Sequence, residues 1–228
     1  MSTGILLVNK PAGKSSFALV AALRKITAIS KIGHAGTLDP FATGLMVMLI
    51  GKEYTRQSNA FLTNDKEYLA TIRLGIQTDT HDPEGTITAV SEIVPSVEAL
   101  IRALLSLSGW VQQTPPMYSA KKVNGKKLYE LARKGVTIER APALVYIEPT
   151  LISYEYPFVK MRVKCSKGTY IRTIAHDLGT LLGCGACLTE LHRTRSGAFS
   201  VEGAMDGSLI LERSIDSAHL VCKLLKSA

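Results

Sequence analysis

The segment Gly33-His34-Ala35-Gly36-Thr37-Leu38-Asp39-Pro40-Phe41-Ala42-Thr43-Gly44 holds the residues best suited to chemistry in this chain. Glycines at 33, 36 and 44 permit unusual backbone angles and close approach of a ligand, while Pro40 stiffens the chain just after Asp39. Such a loop presents a side chain. A carboxylate presented this way can act as a nucleophile, or as the electrostatic partner of a centre developing positive charge. It can equally be an Asx-turn residue that holds the loop through backbone hydrogen bonds, and a lone Asp-Pro favours that reading. The sequence has no GxxxxGKS/T phosphate loop, no GxGxxG after a strand and no paired metal-ligand histidines. Kinase, ATPase and nicotinamide chemistry are therefore disfavoured, and any reaction here is expected to need no cofactor and no metal.

Composition narrows the partners. The chain has 228 residues, 46% of them hydrophobic, which suits a substantial core. Its longest aliphatic run, Leu45 to Ile50, is far shorter than the roughly 20 residues that span a bilayer and reads as a buried strand. With no membrane segment and no secretory signal, a cytoplasmic location is expected. Cys165, Cys184, Cys187 and Cys222 are expected to be reduced thiols, and the CxxC at 184–187 lacks the second pair that structural zinc prefers. The formal charge is +8, and it is concentrated: residues 121–140 hold seven Lys/Arg against two acids, and residues 160–195 another seven against two. That pattern modestly favours a polyanionic partner over a pair of merely solvated faces.

The elements that must position Asp39 follow from periodicity. Ile5 to Val8 reads as a short buried strand, and Ser15 or Ser16 as the cap of a helix running to about Lys25. A Gly-rich loop over 33–44 leads into the aliphatic strand, followed by a short helix near 55–61. Tyr68, Ala70, Ile72 and Leu74 alternate as in a strand, and Val97, Leu100, Ile101, Leu104 and Leu105 take helical spacing. Residues 113–135 read as a basic, mobile excursion with a turn at 123–126 and one or two helical turns over 128–133. Val159 to Cys165 alternates apolar and cationic residues as a half-buried strand, and Tyr170 to Leu182 reads as a helix closed by Gly183. Strands near 188–193 and 198–201 and a terminal helix near 216–225 complete the chain. Strands and helices without regular alternation predict an α+β fold in a single domain over 1–228.

Six segments in order resemble one family. GHAGTLDPFATG looks like the catalytic motif of the pseudouridine synthases, most closely those of the TruB type. Asn9 to Ser16 resembles that family's NKPxGxSS element, Lys66 to Gly75 its KxYxAxxxLG strand, and Gln77 to Gly85 its TDTxDxEG turn. Gln113 to Gly135 is similar to its QxPPxYSAxKxxGxxxYexAR insertion, and Cys165 to Gly179 to its CSKGTYIRxxxxDLG motif. Together they cover most of residues 4–197.

The resemblance implies a pseudouridine synthase fold, with a mixed, mostly antiparallel central sheet flanked by helices and loops. It implies conversion of uridine to pseudouridine in the T loop of tRNA, at conventional position 55, by base flipping and without guide RNA. Asp39 becomes the catalytic carboxylate. Arg172 is placed beside it as the cation that keeps it ionised, Tyr68 against the flipped uracil, and His34 in the space the base vacates. Tyr170 and Leu191 are implied to contact the substrate, and an insertion at about 113–141 to grip RNA. The partner implied is the T arm of tRNA; no obligatory protein partner and a monomer are expected. Ala35 departs from the family's usual Thr, and His192 from a common Arg. Typical relatives continue into a C-terminal PUA-type domain, whereas about thirty residues follow Gly197, so no separate domain of that type is expected. A non-catalytic RNA-binding module and a guide-RNA-dependent modifier of related sequence are the competing readings.

Overall fold

The computed structural model describes residues 2–62, 65–119, 121–123, 125–132 and 134–225. In chain order the elements begin with β1 (Gly4–Lys10), α1 (Ser16–Thr27), β2 (Ile32–Ala35), β3 (Thr43–Ile50), α2 (Lys52–Arg56), α3 (Ser58–Leu62) and β4 (Lys66–Leu74). There follow β5 (Ile76–Thr78), β6 (Ile87–Val90), α4 (Val97–Ser106), β7 (Gly109–Gln113), β8 (Lys122–Val123), β9 (Lys126–Lys127) and α5 (Leu128–Ala132). The last part comprises β10 (Ala143–Glu155), β11 (Phe158–Cys165), α6 (Ile171–Leu181), β12 (Ala186–Ser196), β13 (Phe199–Ser200), β14 (Met205–Asp206), α7 (Gly207–Leu211) and α8 (Ser217–Cys222). These form mixed, mostly antiparallel sheet with flanking helices, the α+β arrangement expected. Two compact units divide the chain: Met1–Leu69 with Leu191–Ala228, and Ala70–Glu190.

In the first unit β3 is the organising strand. Leu45 to Ile50 are all buried, as a continuous apolar run without alternation requires. One edge of β3 pairs antiparallel with β1, Val8 opposite Met46, and β1 in turn pairs parallel with β14. The other edge is shared: β2 covers it from Val47 to Ile50, and β12 runs parallel to it where Arg193 meets Gly44. The segment 36–42 leaves the sheet and returns at that junction. Ile32–Ala35, of which residues 33–35 read from sequence as part of the Gly-rich loop, is thus a strand; Gly33 faces Leu49 across the ladder, and only Gly36 and Gly44 of the three glycines adopt positive φ, at 90° and 103°. Ser15 caps α1, its Oγ accepting from the Ala18 N–H at 3.2 Å, and Leu19, Val20 and Leu23 bury one face. The helix expected near 55–61 is two short ones, α2 and α3, separated at Gln57, whose N–H is taken by the Tyr54 carbonyl.

In the second unit β10 pairs antiparallel with β7 and with β11, with a register shift between Leu151 and Ser153. Val159, Met161, Val163 and Cys165 of β11 are buried while Lys160, Arg162 and Lys164 face out, so the strand's sidedness is as its alternation predicted. α4 packs on β10 and α6 from the buried side, through Leu100 and Leu104. The segment after β7 forms the small ribbon β8–β9 and then α5, anchored by fully buried Leu128 and by the Tyr129 N–H donating to the Ser119 carbonyl. Asn124 and Arg133, at the predicted turn and helix end, lie outside the described residues. No helix among the described residues is long and apolar enough to cross a membrane.

The contrast between core and cap is measurable in urea. Leu49→Ala, which empties a fully buried site on β3, is expected to cost about 2–5 kcal/mol, against about 1 kcal/mol for Ser15→Ala at the α1 cap.

Candidate active site

The Asp39 loop is held by its backbone. All five carbonyls from Gly36 to Pro40 accept hydrogen bonds, mostly from side chains that reach in from other elements. Arg193 of β12 donates Nη2 to Gly36 O at 3.2 Å and, more weakly, Nη1 to Thr37 O at 3.5 Å. Ser16, at the start of α1, brackets Leu38: its Oγ accepts from the Leu38 N–H at 2.9 Å and donates to the Leu38 carbonyl at 2.8 Å. The Asp39 carbonyl accepts from the Ala42 N–H at 3.1 Å, closing a tight turn around Pro40. Pro40 O receives the Gly13 N–H at 2.8 Å and Lys10 Nζ at 3.1 Å. Lys10 Nζ also donates to Pro11 O and Lys14 O, so one ammonium ties the NKPAGK turn to the Asp39 loop. A side chain on a backbone fixed at every carbonyl is presented in one direction.

Lys10 and Arg193 are 0% and 1% exposed, Ser16 3%. Reading the sequence singled out neither Lys10 nor Arg193, and named Ser16 only as an alternative cap of α1. Lysines and arginines are taken for surface residues by default, and only the position of Lys10 in NKPAGKSS and of Arg193 two residues after Leu191 offered a signal. The same holds for charge: in the basic window 160–195, Arg172 and Arg193 are internal, so they add nothing to an outer basic face.

Of the other expected residues of this unit, His34 and Leu191 flank the loop's two ends, and Tyr68 lies on β4, the strand beside β12. His34 sits on β2 opposite Met48, two residues before Gly36. Its Nδ1 is buried without a hydrogen-bond partner among the described residues, and burial first, then the Arg193 charge, lower its pKa, so the ring is neutral at pH 7. Leu191 is buried on β12 and its carbonyl accepts from Thr43 Oγ1, the residue on which the loop re-enters β3, at 3.4 Å. His192 reaches the same hydroxyl with Nδ1 at 2.8 Å, so the histidine that replaces the common arginine joins β12 to β3. Tyr68 lies buried on β4, next to Glu67, whose carbonyl and carboxylate both accept from Thr194 of β12 at 3.1 and 2.8 Å. His34, Asp39, Tyr68 and Leu191 thus belong to one hydrogen-bonded framework.

Tyr170 and Arg172 belong to the other unit. Tyr170 is the N-cap residue of α6, and the buried Gln113 side chain substitutes for a peptide partner: Oε1 accepts from the Tyr170 N–H at 2.7 Å and Nε2 donates to its carbonyl at 3.1 Å. Arg172, 4% exposed, forms an ion pair with Asp82 at 3.0 Å and donates to Thr80 O and Tyr118 O at 3.1 and 2.7 Å. Asp82 is itself fixed by Thr80 Oγ1 at 2.6 Å and the Glu84 N–H at 3.0 Å. The TDTHDPEG turn is therefore a receptor for Arg172, a role its residue types alone did not reveal. Beside it His81 and His176 stack at 4.0 Å with rings 3° from parallel. Burial, then the neighbouring His176, Arg172 and Arg140, push the His81 pKa down to about 4. Cys184 and Cys187 are buried free thiols with pKa values raised by burial, and no cluster of three His, Cys, Asp or Glu among the described residues is arranged to hold a metal.

The chain is similar to known proteins over most of its length. A family model described as TruB family pseudouridylate synthase (N terminal domain) matches residues 24–171, and one described as tRNA pseudouridylate synthase B C-terminal domain matches residues 172–215. The tRNA pseudouridine synthase B of Protochlamydia amoebophila is 57% identical over 91% of this chain and 79% of its own length. That of Aromatoleum aromaticum is 49% identical over 89% and 66%. Among solved structures, a Cbf5-Nop10-Gar1 complex contains a chain superposing with a TM-score of 0.71 at 28% identity, over 96% of this chain and 58% of that one.

Two stability measurements check the Arg172 receptor. Asp82→Asn leaves a buried guanidinium without its carboxylate and is expected to cost about 3–5 kcal/mol in chemical denaturation. His81, with its folded pKa below its unfolded value of 6.5, binds its proton more readily when unfolded. Its contribution is intact above pH 6.5 and is lost as pH falls from 6.5 to about 4. His81→Asn, which tolerates the φ of 63° at this position, is expected to flatten that part of the stability profile.

Proposed function

Because this chain belongs to the TruB family of pseudouridylate synthases, we propose that it isomerises uridine to pseudouridine in the T loop of tRNA, at conventional position 55 and without guide RNA. The reaction breaks the bond from ribose C1′ to uracil N1, turns the base while it is held, joins C5 to C1′, removes the C5 proton and leaves a proton on N1. Atoms are conserved overall, so neither electrons nor a transferred group is required. The observation that carries the reading is the Asp39 loop, whose motif matches the family and whose backbone is fixed on all five carbonyls from Gly36 to Pro40. A pre-positioned carboxylate suits attack on, or electrostatic support of, a glycosidic centre developing positive charge.

In this reading Asp39 is the catalytic carboxylate and Arg172 the cation that favours its ionised form, the pairing the family motifs imply. The Asp82 ion pair orients that arginine. Tyr68 stacks on the flipped uracil, with Tyr170 and Leu191 as further contacts. His34, neutral through its lowered pKa, fills the place of the extruded base without bringing a charge into the stack. The segment at about 113–141 grips the T arm through its lysines, with an affinity that falls as salt rises. The protein acts in the cytoplasm as a monomer, within a single synthase domain and without a protein partner. Identity of 57% to a tRNA enzyme, against 28% to the chain from the Cbf5-Nop10-Gar1 complex, supports the stand-alone reading over a guide-dependent one.

The test is release of tritium from uridine C5 of a tRNA transcript into water. The native chain is expected to release it, and Asp39→Asn to reduce the rate by about 10^3-fold or more. Equal release by both would remove Asp39 from its role, and none from either would favour an RNA-binding module without catalysis.

A further inference from the structure

Arg193 is a buried cation in an unusual setting. The residue is 1% exposed, and all its acceptors are uncharged: Leu45 O at 2.6 Å from Nε, Gly36 O at 3.2 Å and Met46 Sδ at 3.3 Å from Nη2, and Thr37 O at 3.5 Å from Nη1. No carboxylate among the described residues forms an ion pair with it, although an arginine this deep ordinarily has one. The fold makes specific room for it. A Cβ on Gly44, which adopts a φ of 103°, would strike the Arg193 backbone, and a Cβ on Gly36 would stand 3.3 Å from Nη1. Two glycines of the Asp39 segment are therefore spent on letting β12 and its arginine approach.

We propose that Arg193 is the positioning residue of the Asp39 loop, fixing its backbone through a fork of neutral acceptors and leaving an uncompensated positive charge against the segment that carries the carboxylate. The proposal rests on the reading of Asp39 as the catalytic group. A carboxylate partner would cancel the charge, whereas carbonyls and a thioether use the fork's donors and leave the charge in place. The charged and titratable residues on the elements next to it are Lys10 on β1, His34 on β2, Asp39 between β2 and β3, and His192 on β12, and its charge acts on His34. Its field opposes protonation of His34, and on this proposal the same positive charge favours the anion of the carboxylate that the loop carries.

Arg193→Met removes charge and fork, and Arg193→Lys keeps the charge alone. With the tritiated tRNA transcript, Arg193→Met is expected to lower kcat about 100-fold while KM stays within about twofold, and to move the acid limb of kcat to higher pH. Arg193→Lys is expected to recover part of kcat and the native acid limb. In NMR titrations of the full chain, the His34 pKa is expected to rise in Arg193→Met and to stay in place in Arg193→Lys. The titration reads the field at the loop without any turnover, so it separates this proposal from the catalytic reading, which fails alone if the native chain releases no tritium. A well-folded Arg193→Met with native kcat, a lysine variant no better than the methionine variant in kcat and acid limb, or an unmoved His34 titration would each overturn it. If Arg193→Met does not fold, the lysine variant decides: an acid limb or His34 pKa displaced from the native one overturns the proposal, and native values of both support it.

Discussion

The structure depends on buried cations that bind peptide carbonyls. A loop rich in glycine has no intrinsic reason to hold one conformation, since each glycine loses more freedom on ordering than any other residue. Here the ordering is supplied by Lys10, Ser16 and Arg193, three polar side chains inside the fold whose hydrogen bonds fall on the backbone between Gly36 and Pro40. Such bonds are stronger in a low-dielectric interior, and leaving any of these groups unpaired there would be costly. Loop and clamp therefore stabilise one another: the carbonyls satisfy the cations, and the cations fix the carbonyls.

The second unit uses the same device with the roles exchanged. There the arginine is the displayed residue and the turn is the clamp. Asp82 and the carbonyls of Thr80 and Tyr118 satisfy Arg172, and Asp82 is held in its turn by Thr80 and the Glu84 N–H. Gln113 does for Tyr170 what a neighbouring peptide would do, so the two candidate residues at the start of α6, Tyr170 and Arg172, are both fixed from outside their own helix. Functional side chains whose orientation is set by partners in distant sequence need no lid to become ordered.

Much of this frame was legible in the residues. The alternation of Val159 to Cys165 and the unbroken run Leu45 to Ile50 each assign both an element and its buried face, because period and burial have one cause; the spacing of Val97 to Leu105 assigns the helix, but of its five apolar residues only Leu100 and Leu104 are buried while Val97, Ile101 and Leu105 are exposed. Asp39 stood out because glycines and a proline surround it, and family motifs then named His34, Tyr68, Tyr170, Arg172 and Leu191. What stayed hidden were partnerships. Ile32–Ala35 is too short and too glycine-rich to register as a strand and is one through its pairing with β3. Lys10, Gln113 and Arg193 look like ordinary polar residues, since only tertiary contact tells a buried donor from a solvated one. Asp82 lay inside a recognised turn, yet its arginine is 90 positions away.

The claim that the Asp39 loop is fixed before any RNA arrives is tested most directly by native-state hydrogen exchange at the Leu38 amide, whose acceptor is the buried Ser16 Oγ. If the clamp holds, Leu38 exchanges as slowly as the amides of β3, through the same opening that unfolds the sheet. Exchange at the rate of an exposed loop would mean that the loop opens on its own, and would contradict a pre-positioned Asp39.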